Sequence, residues 1–96
     1  MCHTQIIDLA MNQIGDAGLT TLAKAVESGA LASLKKLSLH TNSIGDAGMT
    51  ALASALGNGA LASVSFIDLD ANEATEVGKK AIRDVAQTRG FRVSLK

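Results

Sequence analysis

The sequence predicts an α/β fold, a right-handed solenoid in which short parallel strands line a concave side and helices line the convex side. Three observations point to it. The first is self-similarity at a period of 30: Ile14-Gly15-Asp16-Ala17-Gly18 recurs as Ile44-Gly45-Asp46-Ala47-Gly48, and Gly29-Ala30-Leu31-Ala32-Ser33 recurs as Gly59-Ala60-Leu61-Ala62-Ser63. The second is a period-two apolar pattern opening each unit, and the third is a helical apolar pattern that follows it. Residues 4–33 and 34–63 agree at 16 of 30 positions, whereas 34–63 and 64–93 agree at four, so the third unit has diverged. The 96 residues therefore read as one domain, with repeats at about 4–33, 34–63 and 64–89 and a closing strand at 90–96.

In the first unit Ile7 and Leu9 alternate with Asp8, which predicts a short strand beginning by residue 6. Asn12 follows, and then Leu19, Leu22, Ala23 and Val26 fall at i, i+3, i+4 and i+7, the apolar stripe of a helix. Asp16 is a good N-cap type at its start, and Gly29 can adopt the left-handed conformation past its end. The second unit repeats this with Leu37 and Leu39, Asn42, the cap candidate Asp46, the stripe Met49, Leu52, Ala53 and Leu56, and the stop Gly57. The third has Ile67 and Leu69, Asn72, the cap candidate Thr75, and an apolar face of Ile82, Val85 and Ala86. In the closing segment Val93 and Leu95 return to the strand phase, and a fourth strand there would cover the C-terminal sheet edge. Nothing comparable precedes the first strand, so the expectation is the C-terminal end of a solenoid whose uncapped first repeat could self-associate. Three units and a strand lie near the minimum for a continuous core, and a stability of about 3–5 kcal/mol is expected.

The pattern Leu34-x-x-Leu37-x-Leu39-x-x-Asn42-x-Ile44, followed by Gly45-Asp46-x-Gly48-x-x-x-Leu52-Ala53-x-Ala55-Leu56, resembles the leucine-rich repeat of the ribonuclease-inhibitor type. The resemblance covers residues 4 to about 88. Departures are Thr4 in place of the first Leu, and Ala74-Thr75-Glu76 in place of Ile-Gly-Asp, where Ala74 weakens the last turn. The resemblance implies a non-enzymatic module that binds a protein partner on its concave strand face. It also implies an alternative, a piece of a larger solenoid such as the sensor region of a nucleotide-binding receptor or a regulator similar to Ran GTPase-activating proteins. The residues such an activator needs are not matched here.

Composition narrows the partner class. Nine basic and nine acidic side chains cancel, and two Phe are the only aromatics, so neither phosphate neutralisation nor base stacking is provided for and nucleic acid is not expected. Charged or polar residues interrupt every apolar run short of the roughly 18 a membrane helix needs, so no membrane partner is expected. A single cysteine, Cys2, and no signal-like start favour a cytoplasmic setting. His3, near the terminus, is read as inert, and Cys2 as at most an adventitious reactive thiol. None of the asparagines is followed by Ser or Thr two positions later, so no N-glycosylation acceptor exists.

With neighbouring strands about 4.8 Å apart, the period-30 register predicts three rows across the strand face. They read Ile6, Lys36, Phe66, Arg92; then Asp8, Ser38, Asp68, Ser94; then Ala10, His40, Asp70, Lys96. An exposed Phe66 between two cations, with Asp68 and Asp70 alongside, suits protein recognition. The candidate partner-binding residues are Ile6, Asp8, Lys36, Ser38, His40, Phe66, Asp68, Asp70 and Arg92. An imidazole–carboxylate bond between His40 and Asp70 is conceivable, but a flat face with no nucleophile and no desolvating pocket argues against catalysis, and no metal or other cofactor is expected. Gly57-Asn58-Gly59-Ala60-Leu61-Ala62 spells a dinucleotide fingerprint, but in reversed context, after a helix and before a strand. Asn12, Asn42 and Asn72, one per repeat, suit a structural ladder whose amides satisfy turn backbone groups. Lys79, Lys80, Arg83 and Arg89 suggest a basic patch on the last helix beside Glu76 and Asp84.

Overall fold

A computed structural model describes residues 6–9, 11–29 and 34–95. In chain order the elements are β1 (Ile6–Asp8), α1 (Gly15–Glu27), β2 (Lys36–Ser38), α2 (Asp46–Gly57), β3 (Phe66–Asp68), α3 (Glu76–Arg89) and β4 (Arg92–Ser94). The four strands form one parallel sheet in the order β1-β2-β3-β4. Three residues of strand and one helix cannot bury an apolar stripe alone, so α1 packs on α2 and α2 on α3 beneath the sheet. Between the layers lies a single core that runs the length of the stack, built from Leu37, Leu39, Ile67 and Leu69 of the strand segments and Leu19, Met49, Leu52, Leu56 and Ile82 of the helices.

The apolar faces fall close to the expected stripes, with two adjustments. In α2 it is Ala55 that is fully buried, while Ala53 is half-buried. Leu22 and Val85, on the two outer helices, are also only half-buried. Gly57 is the last residue of α2 rather than its stop, and the left-handed turn falls on Gly59, at φ 95°. Gly29 and Gly90 take the same conformation after α1 and α3, at φ 103° and 83°.

The asparagines sit in the turns after the strands. Asn42 Oδ1 accepts from the Asn12 and Ile14 N–H groups at 2.7 and 3.3 Å, and its Nδ2 donates to the Leu9 carbonyl at 2.7 Å. Asn72 repeats the arrangement one unit on, accepting from Asn42 N–H at 2.8 Å and Ile44 N–H at 3.0 Å and donating to the Leu39 carbonyl at 2.9 Å. Two N–H groups two residues apart converge on one oxygen because the residues flanking the asparagine are left-handed: Met11 and Gln13 in the first turn, Thr41 and Ser43 in the second. Each such non-glycine residue costs about 1–2 kcal/mol, which the paired amide bonds offset.

The helix starts differ from the expected self-capping. Asp16 and Asp46 lie inside the first turns of α1 and α2, and neither bonds its own helix as an N-cap. Asp16 Oδ1 instead accepts from the Gly45 and Gly48 N–H groups, both at 2.8 Å, at the start of α2. Asp46 in turn accepts from Thr75 N–H at 2.8 Å, Thr75 Oγ1 at 2.6 Å and Gly78 N–H at 3.0 Å, at the start of α3. Each carboxylate thus caps the helix of the following repeat, where free N–H groups and the helix dipole both favour it. Thr75 also caps α3 as expected, accepting from Val77 N–H at 3.3 Å.

Candidate strand-face binding site

The strand pairing aligns Ile6 with Lys36, Lys36 with Phe66, and Phe66 with Arg92, so these four side chains form one row across the sheet. The residues that precede the buried Leu37 and Ile67 point away from the core by strand alternation. Ile6 is 63% exposed, and Lys36 and Arg92 are also exposed. Phe66 differs from expectation: its ring is half-buried, with the Lys36 ammonium 5.4 Å from the ring centroid. A cation held over a partly desolvated ring is attracted by the ring quadrupole and fixes an otherwise mobile lysine.

The second row aligns Asp8, Ser38, Asp68 and Ser94. Ser38 is 7% exposed, so it packs between its neighbours and offers a partner little surface, contrary to its placement among the contact residues. Asp68 Oδ1 accepts from Asp70 N–H at 3.0 Å, which closes the turn after β3. Of the third row, Ala10 and Lys96 lie outside the described residues, as do Cys2, His3 and Thr4. His40 and Asp70 do not pair as conceived: His40 Nδ1 lies 3.1 Å from Thr41 Oγ1, and Asp70 Oδ1 accepts from Ser94 Oγ at 2.6 Å. The Thr41 hydroxyl, next along the turn, and the Ser94 hydroxyl, on the adjacent strand, reach these groups first. Asp68 and Asp70 are therefore tied into a turn and a neighbouring strand, and the row from Ile6 to Arg92, with Asp8 beside it, is the part turned outward.

The basic patch on α3 resolves into separate local contacts. Lys80 pairs with Asp84 and Arg83 with Glu76, each at 2.8 Å and each exposed to solvent. Arg89 leaves the surface group altogether. Its guanidinium donates to the carbonyls of Leu56 at 3.1 Å, Ala60 at 2.5 Å and Leu61 at 2.9 Å, and lies 5.6 Å over the Phe91 ring. It meets the Ala60 carbonyl and adds a second donor to the Leu56 and Leu61 carbonyls, which also accept from the Gly59 and Val64 N–H groups. The dinucleotide-like run 57–62 passes from the last residue of α2 into the loop that leads to β3, the reversed context expected of it.

The geometry is that of stacked strand–turn–helix units, and the leucine-rich repeat profile matches residues 2–23 and 30–53. The chain is a leucine-rich repeat protein. Its parallel strands alternating with helices are the α/β solenoid of that family. Leucine-rich repeats generally mediate protein–protein interaction and are typically non-enzymatic. A search of curated proteins finds no significant match to the chain. No helix among the described residues is long and apolar enough to cross a membrane.

Proposed function

We propose that this chain is a ribonuclease-inhibitor-type leucine-rich repeat module that binds a protein partner on its strand face and catalyses no reaction of its own. The observation that carries the reading is the row Ile6, Lys36, Phe66, Arg92, in which a half-buried ring stands between two exposed cations in strand register. A ring already held in place loses little entropy on binding, and the flanking cations select the segment that covers it. The complementary partner is an apolar side chain flanked by carboxylates. Asp8, exposed on the neighbouring row, would repel a misplaced acidic group and so set the register. The 30-residue period and the Ile-Gly-Asp-x-Gly turn support the subtype.

The test compares proteins captured from lysate by the wild-type chain, by Lys36→Glu/Arg92→Glu, and by Lys80→Glu/Arg83→Glu on the helical side, all matched by circular dichroism and solution mass. The reading requires a protein that the wild type and the helix-side variant retain and the strand-face variant loses. Identical capture by all three, or loss confined to the helix-side variant, would remove the strand face as the working surface.

A further inference from the structure

Of the four asparagines in the chain, Asn12, Asn42 and Asn72 are followed by Gln13, Ser43 and Glu73, and Asn58 alone is followed by glycine. With no Cβ to shield it, a glycine nitrogen is the least hindered nucleophile the main chain offers. An asparagine that precedes it can lose its amide. The Gly59 nitrogen bonds to Asn58 Cγ, the Cγ–Nδ2 bond breaks and ammonia leaves, giving a five-membered succinimide. Water then opens the ring. Addition at Cγ leaves an aspartate, and addition at the main-chain carbonyl leaves an isoaspartyl link in which the chain runs through Cβ. Neither oxidant nor reductant takes part.

The fold puts this pair where the change matters. Asn58 stands exposed at the C-terminal end of α2 and reaches across to α1, its Nδ2 donating to Glu27 Oε2 at 2.8 Å. Its counterpart in repeat one, Ser28, turns back on its own helix and donates to the Ala25 carbonyl at 2.6 Å. The Asn58 amide is therefore a tie between the ends of two helices, and the nitrogen that makes the tie is the one that leaves. A carboxylate in its place has no proton to donate, repels Glu27 and sits at the negative end of the α2 dipole. An isoaspartyl link adds a main-chain carbon just before Gly59, whose left-handed φ of 95° sets the turn toward β3.

The same contacts hold the reaction back. At the Asn58 ψ of 9° the Gly59 nitrogen eclipses the main-chain nitrogen of Asn58, whereas ring closure needs it beside Cβ. The Gly59 N–H is also engaged, donating to the Leu56 carbonyl at 3.1 Å. The turn must open and release Glu27 before nitrogen and Cγ can meet. The amides of Asn42 and Asn72 are held more firmly, the first donating to the Leu9 and His40 carbonyls and the second to those of Leu39 and Leu69.

We infer that Asn58 and Gly59 form a self-modification site, a succinimide-forming pair latched by Glu27, whose conversion to aspartate or isoaspartate loosens α1 from α2. Loss of ammonia to solvent makes the change one-way. The test incubates the full chain in mildly alkaline buffer and locates by tandem mass spectrometry each gain of one mass unit. In the wild type the gain falls on Asn58 and is faster in denaturing urea than in native buffer. Glu27→Ala, an exposed substitution checked by circular dichroism, raises the native rate several-fold and leaves the rate in urea unchanged. Asn58→Asp lowers the urea midpoint more than Asn58→Ser, which loses the tie without adding a charge. Gains spread evenly over the four asparagines, a native rate equal to that in urea, or a Glu27→Ala rate equal to wild type each overturn the inference. So does an Asn58→Asp midpoint no lower than that of Asn58→Ser.

Discussion

Asn42 concentrates four backbone contacts in one buried amide, two accepted from Asn12 and Ile14 and two donated to Leu9 and His40. Replacing it with Ala leaves those groups with a cavity in place of a partner, and the expected loss is about 1–3 kcal/mol in urea unfolding. An unchanged midpoint would refute the ladder. Asp46 makes a different kind of contribution, because its bonds are to the charged form. The Thr75 hydroxyl, opposed by partial burial and joined by the Thr75 and Gly78 amides, holds its carboxyl below the ordinary value of 3.8. The folded state therefore binds this proton more weakly than the unfolded state. The stabilisation is complete above the ordinary value and is lost as pH falls through the lower, folded one. Glu76 is lowered in the same direction by Arg83, but both side chains are exposed and solvent screens the pair. Urea midpoints measured from pH 6 downward should fall below about pH 4, and Asp46→Asn should flatten that fall more than Glu76→Gln.

At the scale of elements, the aspartates make each helix start the property of two repeats, and the glycines mark where one helix meets another. A Cβ on Gly78 would lie 2.6 Å from Asp46 Oδ1, 3.0 Å from the Asp46 Cα and 3.0 Å from Met49 Cβ. Backbone cannot swing aside as a side-chain tip can, so Gly78→Ala should push α3 from α2 and cost about 1–3 kcal/mol. Gly57, with nothing within 4 Å and no positive φ, is the control: Gly57→Ala should be neutral or add about 0.4–1 kcal/mol by restricting the unfolded chain. Equal effects of the two substitutions in chemical denaturation would show that the helix contact is not what Gly78 serves. The same junction explains what could be read from sequence. Strand phase, register, the four-strand order and most of each helical stripe follow from periods of 2, 3.6 and 30, because burial repeats with them. The aspartates misled because an N-cap is a local rule, reaching two or three residues, whereas their partners lie 29 to 32 positions on. Arg89 was hidden for the same reason, its carbonyl acceptors lying 28 to 33 residues back. Of the strand face, the register of Ile6, Lys36, Phe66 and Arg92 was legible, but the half-burial of Phe66, the burial of Ser38 and the choice of Ser94 by Asp70 depend on which side chain reaches first across the sheet.

For the whole molecule, stacking makes stability a sum of nearest-neighbour terms, and only repeat two has a repeat on each side. Leu52 and Leu22 occupy the same position of successive helices, yet Leu52 is fully buried between neighbours and Leu22 is half-buried. Truncating Leu52 to Ala removes core atoms that cannot be replaced and should cost about 2–5 kcal/mol. Set against a total of about 3–5 kcal/mol for a stack this short, that is enough to unfold a large fraction of the chain at 25 °C. Leu22→Ala, losing contacts on one side only, should cost less than half as much and leave the helical circular dichroism intact. The comparison also reports on how α1 is covered in solution. A far larger cost at Leu52 is what nearest-neighbour stacking requires. Equal costs would show Leu22 to be as fully covered as Leu52 in the free protein, and the difference in burial between the two helices would not hold in solution.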